Sequence, residues 1–259
     1  MGKLRNLSSD EILVQFFYAL KIIRLSQQQQ LDSNDDDDDT MSHANLPLPE
    51  ITNVVFMGMG EPSDNAVNVR NALQILTNVD LFHMGQTKVT VSTVAPTPQA
   101  FMKFADAPCV LAWSVHAAND VLRKKLVPTM NKFTTMDLAR GLIEALLTRP
   151  KRLRATMLEI ALVSGLNDTI EAAEEMAVLT QFIKDSVPGA KVMVNLIPFN
   201  DIGHDTYRTP SKDSVKAFQN VLWERGIYAH VRTTRGDDEN AACGQLATKK
   251  LKKNGKLMP

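Results

Sequence analysis

Cysteine is scarce in this 259-residue chain: there are two, Cys109 and Cys243, 134 positions apart. Neither a CxxC nor a CxxxCxxC metal loop can be written with them, and such sparing use fits a reducing, cytosol-like environment. Long hydrophobic runs are missing as well, so the sequence offers no stretch that spans a bilayer. The N-terminal MGKLRNLSSDEIL lacks both the apolar core of a secretory signal and the Arg/Ser bias of a transit peptide. We therefore expect a soluble protein. Net charge is also lacking, with 29 basic and 29 acidic residues. That balance conceals a local excess, because six of the acids are aspartates within residues 32–39. Without them 23 acids face 29 bases, a modestly basic remainder compatible with a nucleic-acid partner.

What is present reads as an α/β protein. Ser8 followed by Glu11 forms a capping box, and Ile12, Phe16, Ala19 and Ile23 fall at helical spacing, which predicts a first helix ending by Ser26. The following QQQQLDSNDDDDDTMSHANLPLPE is polar and repetitive and buries too little apolar area to offset its ordering entropy. It reads as a disordered insert over residues 27–50. From Ile51 onward, apolar runs alternate with amphipathic stretches, the pattern of repeated βα units around a parallel sheet. Strands are expected at Asn53 to Met57, Lys88 to Ser92, Val110 to Val115, Arg154 to Leu162, Lys191 to Ile197 and Tyr228 to Arg232. Helices are expected at Ala66 to Leu76, Thr97 to Ala105, Asp120 to Leu126, Met136 to Thr148, Thr169 to Ser186 and Ser211 to Arg225. Asn119 or Asp120 suits an N-cap, and Gly226 suits a helix C-terminus. Residues 51–247 form the main body and 248–259 a basic tail. The first helix has no strand before it, which is odd for a crossover helix in a parallel fold.

Ligands of parallel βα folds gather at the carboxyl ends of strands, so polar residues there carry the search for a site. VVFMGMGEP runs into Gly58, Gly60 and Glu61, giving close backbone approach and a carboxylate for an ammonium group. The glycines alone read equally as punctuation. KVTVS ends in Ser92 and Thr93, hydroxyls that also suit helix capping. VLAWSVHAAND places Ser114 and His116 two apart, so both project from the same face of the strand and can reach one ligand. VMVNLIPFN offers Asn200 as a purine or ribose partner and Asn195 as a residue that holds the turn. In RTTRGDDENAACGQLA, Cys243 lies among small residues near Arg232 and Arg235, which favour thiolate or hold phosphate. Local composition leaves Cys243 open between reactive thiol and buried small hydrophobe. Cys109, at the start of a core strand, takes the latter role. The basic segment Arg149, Lys151, Arg152 and Arg154 reads as a solvated surface run, with an RNA-facing role as the alternative.

Taken in order, GMGEP, VTVST, SVHAAND, NLIPFN and TRGDDENAACGQLA resemble the dual-specificity radical S-adenosylmethionine (SAM) methyltransferases that act on C2 of adenosine in ribosomal and transfer RNA. The similarity runs from about Leu4 to Ala247. It implies a partial (β/α)6 barrel whose strand ends hold SAM. By position, Gly60 and Glu61 match the loop that meets the SAM amino group. Ser92 and the segment Ser114, Val115, His116 match further contacts to nucleoside and carboxylate, and Asn200 matches the last. Cys243 matches the cysteine that is methylated and then carries the carbon to RNA. The implied partners are rRNA and tRNA, with a reductant such as flavodoxin or ferredoxin and no membrane. The address of a soluble protein of this kind stays open between cytoplasm and organelle, chloroplast or mitochondrion.

The sequence departs from that pattern where the family carries its CxxxCxxC loop, three thiolates on a 4Fe–4S cluster. The loop, its preceding strand, the second cysteine, the general-base glutamate and the N-terminal RNA-binding region have no counterpart here. Together with the orphan first helix, this leads us to expect an incomplete copy of such an enzyme that is inactive alone. The alternative is a degenerate paralogue that binds SAM or RNA without turnover, and a βα barrel of unrelated chemistry is a third reading.

Overall fold

The computed structural model describes residues 5–33, 48–127, 132–200 and 206–232, with side chains described only to Gln29 in the first helix. Aliphatic and β-branched runs form six strands: β1 (Val54–Phe56), β2 (Val89–Thr93), β3 (Val110–Ser114), β4 (Ala155–Leu162), β5 (Lys191–Pro198) and β6 (Ala229–Val231). Seven α-helices accompany them among the described residues: α1 (Ser9–Ser33), α2 (Ala66–Thr77), α3 (Gln99–Met102), α4 (Asp120–Leu126), α5 (Thr135–Thr148), α6 (Ile170–Ser186) and α7 (Lys212–Glu224). The strands lie in sequence order, β1 to β6, and every neighbouring pair is parallel. An order that never reverses has no central switch point, so the sheet winds in one direction as a barrel wall does.

Strand parity sets the two faces. Val89, Val91, Leu111, Trp113, Leu158, Ile160, Leu162, Val194, Leu196 and Ala229 join one buried cluster with helix residues such as Leu73, Leu142, Leu146, Met176, Phe218 and Leu222. The alternating set, Ser92, Ser114, Glu159, Asn195 and His230, therefore faces away from the helices. The register links Ser114 to Glu159, Glu159 to Asn195 and Asn195 to His230, a polar row across four strands. Six strands laid flat would separate the outer two by about 24 Å, at about 4.8 Å per step. Yet Arg232 Nη1, just past β6, lies 3.6 Å from Met57 Sδ, just past β1. Only a strongly curled sheet brings these ends within side-chain reach, so the polar row lines a concavity. This is the partial α/β barrel expected.

Local chemistry explains most boundaries. Glu11 N donates to Ser8 Oγ and Ser8 N to Glu11 Oε2, the expected capping box. The first helix does not stop at Ser26, however, but continues through the glutamine run to Ser33. Glutamine is a good helix former and its side chain does not compete for backbone partners, so propensity prevails over repetitive composition. Of the rest of the acidic insert, residues 34–47 lie outside the described residues and 48–50 are exposed and without regular structure. Asn119, rather than Asp120, caps α4 by accepting from Val121 N and Leu122 N. Thr134 and Asp137 form a full capping box on α5. Gly226, with φ of +68°, terminates α7. The helix expected over Thr97 to Ala105 is regular only over α3, and tight turns carry the chain on to Ala107. Gly141 lets α5 press against Pro98, since a Cβ there would lie 2.5 Å from the Pro98 carbonyl oxygen.

The basic segment after α5 is not a surface run. Arg149 is 2% exposed. All five of its N–H groups donate to backbone carbonyls: Nε to Leu153, Nη1 to Phe104 and Ala105, and Nη2 to Ala107 and Cys109. Arg154 likewise donates to the carbonyls of Leu147, Arg149 and Pro188. These two arginines close the turns that enter β3 and β4, at the strand ends opposite the polar rim. Lys151 and Arg152 do remain exposed.

Candidate functional site

Each polar strand end reaches the same rim by its own local device. After β1 the chain passes Gly58 and Gly60 at φ of +119° and +78°, conformations that side chains resist. A Cβ built on either glycine would meet nothing within 4 Å, so the backbone is open on that side. The turn delivers Glu61, whose Oε1 accepts from Ser63 N at 2.9 Å and from Thr93 Oγ1 at 2.6 Å. Its Oε2 accepts from Val94 N at 3.0 Å. Glu61 thus bolts the end of β1 to the end of β2.

Behind it, Arg123 is buried, donates through Nη2 to the Val94 carbonyl at 2.7 Å and lies 5.9 Å from the Trp113 ring centre. Burial lowers its pKa to about 10, with Asp120 acting in the opposite direction. The loop after β2 is therefore held from both sides.

Ser92 and Ser114 meet on the concave face, their hydroxyls 3.0 Å apart. Both converge on Glu159 Oε2, at 2.5 Å from Ser92 and 3.1 Å from Ser114. Glu159 is 2% exposed and is the residue that sequence reading missed. A signal was there to find: in ATMLEIAL the parity of Leu158, Ile160 and Leu162 leaves Glu159 on the opposite, ligand-facing side of β4.

His116 reaches the rim by a route other than the expected one. Strand β3 ends at Ser114, and His116 has φ of +60°, so alternation along a strand does not set its direction. Instead His116 N donates to the Glu159 carbonyl at 3.1 Å, and its Nδ1 accepts from Ala161 N at 3.1 Å. Asn167 secures the bend, donating to the carbonyls of His116 and Ala161, both at 2.8 Å, and accepting from Val163 N at 2.7 Å. Burial, and secondarily Arg123, lowers the His116 pKa to about 4. The imidazole is neutral at physiological pH, and with Nδ1 accepting, its proton sits on Nε2.

The remaining candidates divide. Val115 is fully buried within the helix-side cluster, which leaves only its backbone near the rim. Asn200 follows β5 at the same strand ends and is half-buried. Asn195 holds no turn: it lies inside β5, between Glu159 and His230 in register. Cys243 and Arg235 lie outside the described residues. Cys109 is buried at the start of β3, and burial raises its thiol pKa to about 11, which keeps it protonated and unreactive. Among the described residues no group of three His, Cys, Asp or Glu side chains is placed to hold a metal ion, and no helix is long and apolar enough to cross a membrane.

No protein-family model matches the chain. It is 37% identical over 211 residues to the dual-specificity RNA methyltransferase RlmN of Ruthia magnifica, covering 82% of this chain and 57% of that protein. The RlmN of Marinobacter nauticus is 40% identical over 197 residues, 76% of this chain and 51% of its own length. A probable RlmN of Protochlamydia amoebophila is 32% identical over 255 residues, covering 98% of this chain and 62% of its own length. The chain thus spans little more than half the length of these relatives. Among solved structures, a radical SAM methyltransferase from Sphaerobacter thermophilus superposes with a TM-score of 0.74 at 32% identity, over 95% of this chain and 63% of that one. A domain of a pyruvate-formate lyase-activating enzyme from Bacteroides vulgatus, at 16% identity and a TM-score of 0.52, shares the fold alone. Over most of its own length, this chain is thus similar to the dual-specificity RNA methyltransferases RlmN and to a radical SAM methyltransferase of known structure.

Proposed function

We propose that this chain is the SAM-binding barrel of an RNA methyltransferase that modifies C2 of adenosine in rRNA and tRNA. The observation that carries the reading is the gathering of Glu61, Ser92, Ser114 and His116 at the carboxyl ends of adjacent parallel strands. The donor and acceptor set fits SAM. The Glu61 carboxylate is an acceptor for the ammonium group, the two serines serve the nucleoside, and His116 Nε2–H is a donor for a carboxylate or ring nitrogen. The open side of Gly58 and Gly60 gives a ligand backbone access, and Asn200 completes the rim.

The iron–sulfur cluster of the family does not fit the residues of this chain. Two cysteines cannot supply three thiolates, and Cys109 is buried on the far side of the sheet. SAM binding is therefore the part of the chemistry that this chain's own residues can serve, and transfer of carbon through Cys243 needs a cluster and a reductant from elsewhere. The Ser, Glu and His groups would orient SAM, and Cys243, by resemblance, would receive its methyl group.

Calorimetric titration of SAM into the purified chain tests the reading. Saturable binding that weakens when Glu61 is replaced by Gln is expected. Absence of binding by the folded chain refutes it.

A further inference from the structure

The relation between Glu159 and the two serines restricts what they can bind. A serine hydroxyl has one proton and two lone pairs, whereas a carboxylate only accepts. Ser92 and Ser114 both lie within donating distance of Glu159 Oε2. When both donate there, neither proton is left for a ligand, and the outward-facing lone pairs become the free groups. The Ser92 contact is the shorter of the two, at 2.5 Å. The carboxylate is itself nearly out of solvent, so giving up these donors would leave a buried charge less satisfied.

We infer that Glu159 is a positioning residue that fixes the polarity of the Ser92 and Ser114 pair, making it an acceptor site for a hydrogen-bond donor of the bound nucleoside-amino acid. Such a donor is an ammonium or a ribose hydroxyl, and a ligand carboxylate is excluded from these two side chains. This refines the SAM reading and rests on it. The Glu159 carboxylate adds to the same preference, since its Oε2 is in contact with both hydroxyls and repels an anion that approaches them.

Two ligands separate the donors: SAM carries both, and 5′-methylthioadenosine keeps the ribose diol but lacks the amino acid. Both are titrated calorimetrically into the unsubstituted chain, Glu159→Gln, Ser114→Ala, Ser92→Ala/Ser114→Ala and the triple variant. Glutamine keeps the shape but donates through its amide, which turns a serine proton outward. Glu159→Gln is expected to weaken SAM about tenfold, the effect of losing one good hydrogen bond. An equal loss for methylthioadenosine assigns the ribose hydroxyl, and an unchanged affinity assigns the ammonium. The triple variant should bind no more than about twofold more weakly than the double serine variant, because Glu159 acts through the serines.

SAM affinity in Glu159→Gln within twofold of the unsubstituted chain overturns the inference and leaves the SAM reading intact. Fully additive losses in the triple variant do the same. If Glu159→Gln does not fold, Ser114→Ala decides: weaker binding of SAM supports the acceptor role, and unchanged binding removes it. No SAM binding by the unsubstituted chain removes both proposals together.

Discussion

Replacing Arg149 should be the most damaging single change on the side of the barrel away from the site. Its guanidinium spends all five N–H groups on five carbonyls drawn from two separate segments, residues 104–109 and Leu153. No described acidic side chain hydrogen-bonds to it, and burial lowers its pKa, so the cost of placing a cation there is met chiefly by carbonyl dipoles. A net hydrogen bond contributes about 1 kcal/mol, and a buried carbonyl left without a partner costs about 1–3 kcal/mol. Some of the five would recover water in a variant, and removing the buried cation returns part of its desolvation cost. The balance for Arg149→Ala is a loss of about 3–5 kcal/mol, a large share of the total stability of an ordinary domain. Arg149→Lys should recover only part of this, since an ammonium has three donors on one atom and leaves at least two carbonyls unserved, a remaining loss of about 2 kcal/mol. Urea unfolding followed by tryptophan fluorescence measures both, with Trp113 in the adjacent strand as reporter. A loss below 1 kcal/mol for Arg149→Ala would refute the reasoning, as would full rescue by lysine.

Three further outcomes follow from the same geometry. Gly141→Ala drives a methyl group into Pro98 backbone and should cost about 1–3 kcal/mol, read as a lowered Tm; an unchanged Tm would show that α3 and α5 separate freely. His116 stays neutral in the fold with a pKa near 4, while the unfolded chain takes up a proton near 6.5. Stability should therefore be level above pH 6.5 and fall as pH drops from 6.5 toward 4, by up to about 3 kcal/mol, a slope that His116→Gln abolishes in urea titrations. Glu61→Gln keeps one acceptor oxygen and loses the charge that serves Ser63 N, Thr93 Oγ1 and Val94 N, so Tm should fall by the equivalent of about 1–3 kcal/mol. An unaltered melt would show that these contacts are incidental.

Much of the scaffold was legible because it rests on short-range rules. Alternating βα patterning placed all six strands, and α4 was located to the residue because Asn119 supplies the missing N–H partners of its first turn. Reading failed where a side chain's meaning depends on a distant partner. Arg149 and Arg154 look like surface bases in sequence, yet carbonyls more than 30 positions away absorb Arg149 and help to hold Arg154. Glu159 lacks any motif of its own; parity puts it on the ligand-facing side of β4, but its contacts with Ser92 and Ser114 emerge only when β2, β3 and β4 align. His116 was placed at the right rim by the wrong geometry, since strand alternation stops at Ser114 and a positive φ, held by Asn167, sets its direction.

The approach of Arg232 to Met57 has a mechanical meaning. Where the outer strands come together, two flexible side chains touch, and the cation meets a polarizable sulfur rather than a carboxylate. Such a clasp can open and close without breaking any rung of the sheet. Among the described residues the seam between β1 and β6 is therefore closed by side chains and not by strand pairing, so rotation of these two side chains leaves the pairing of β1 through β6 intact.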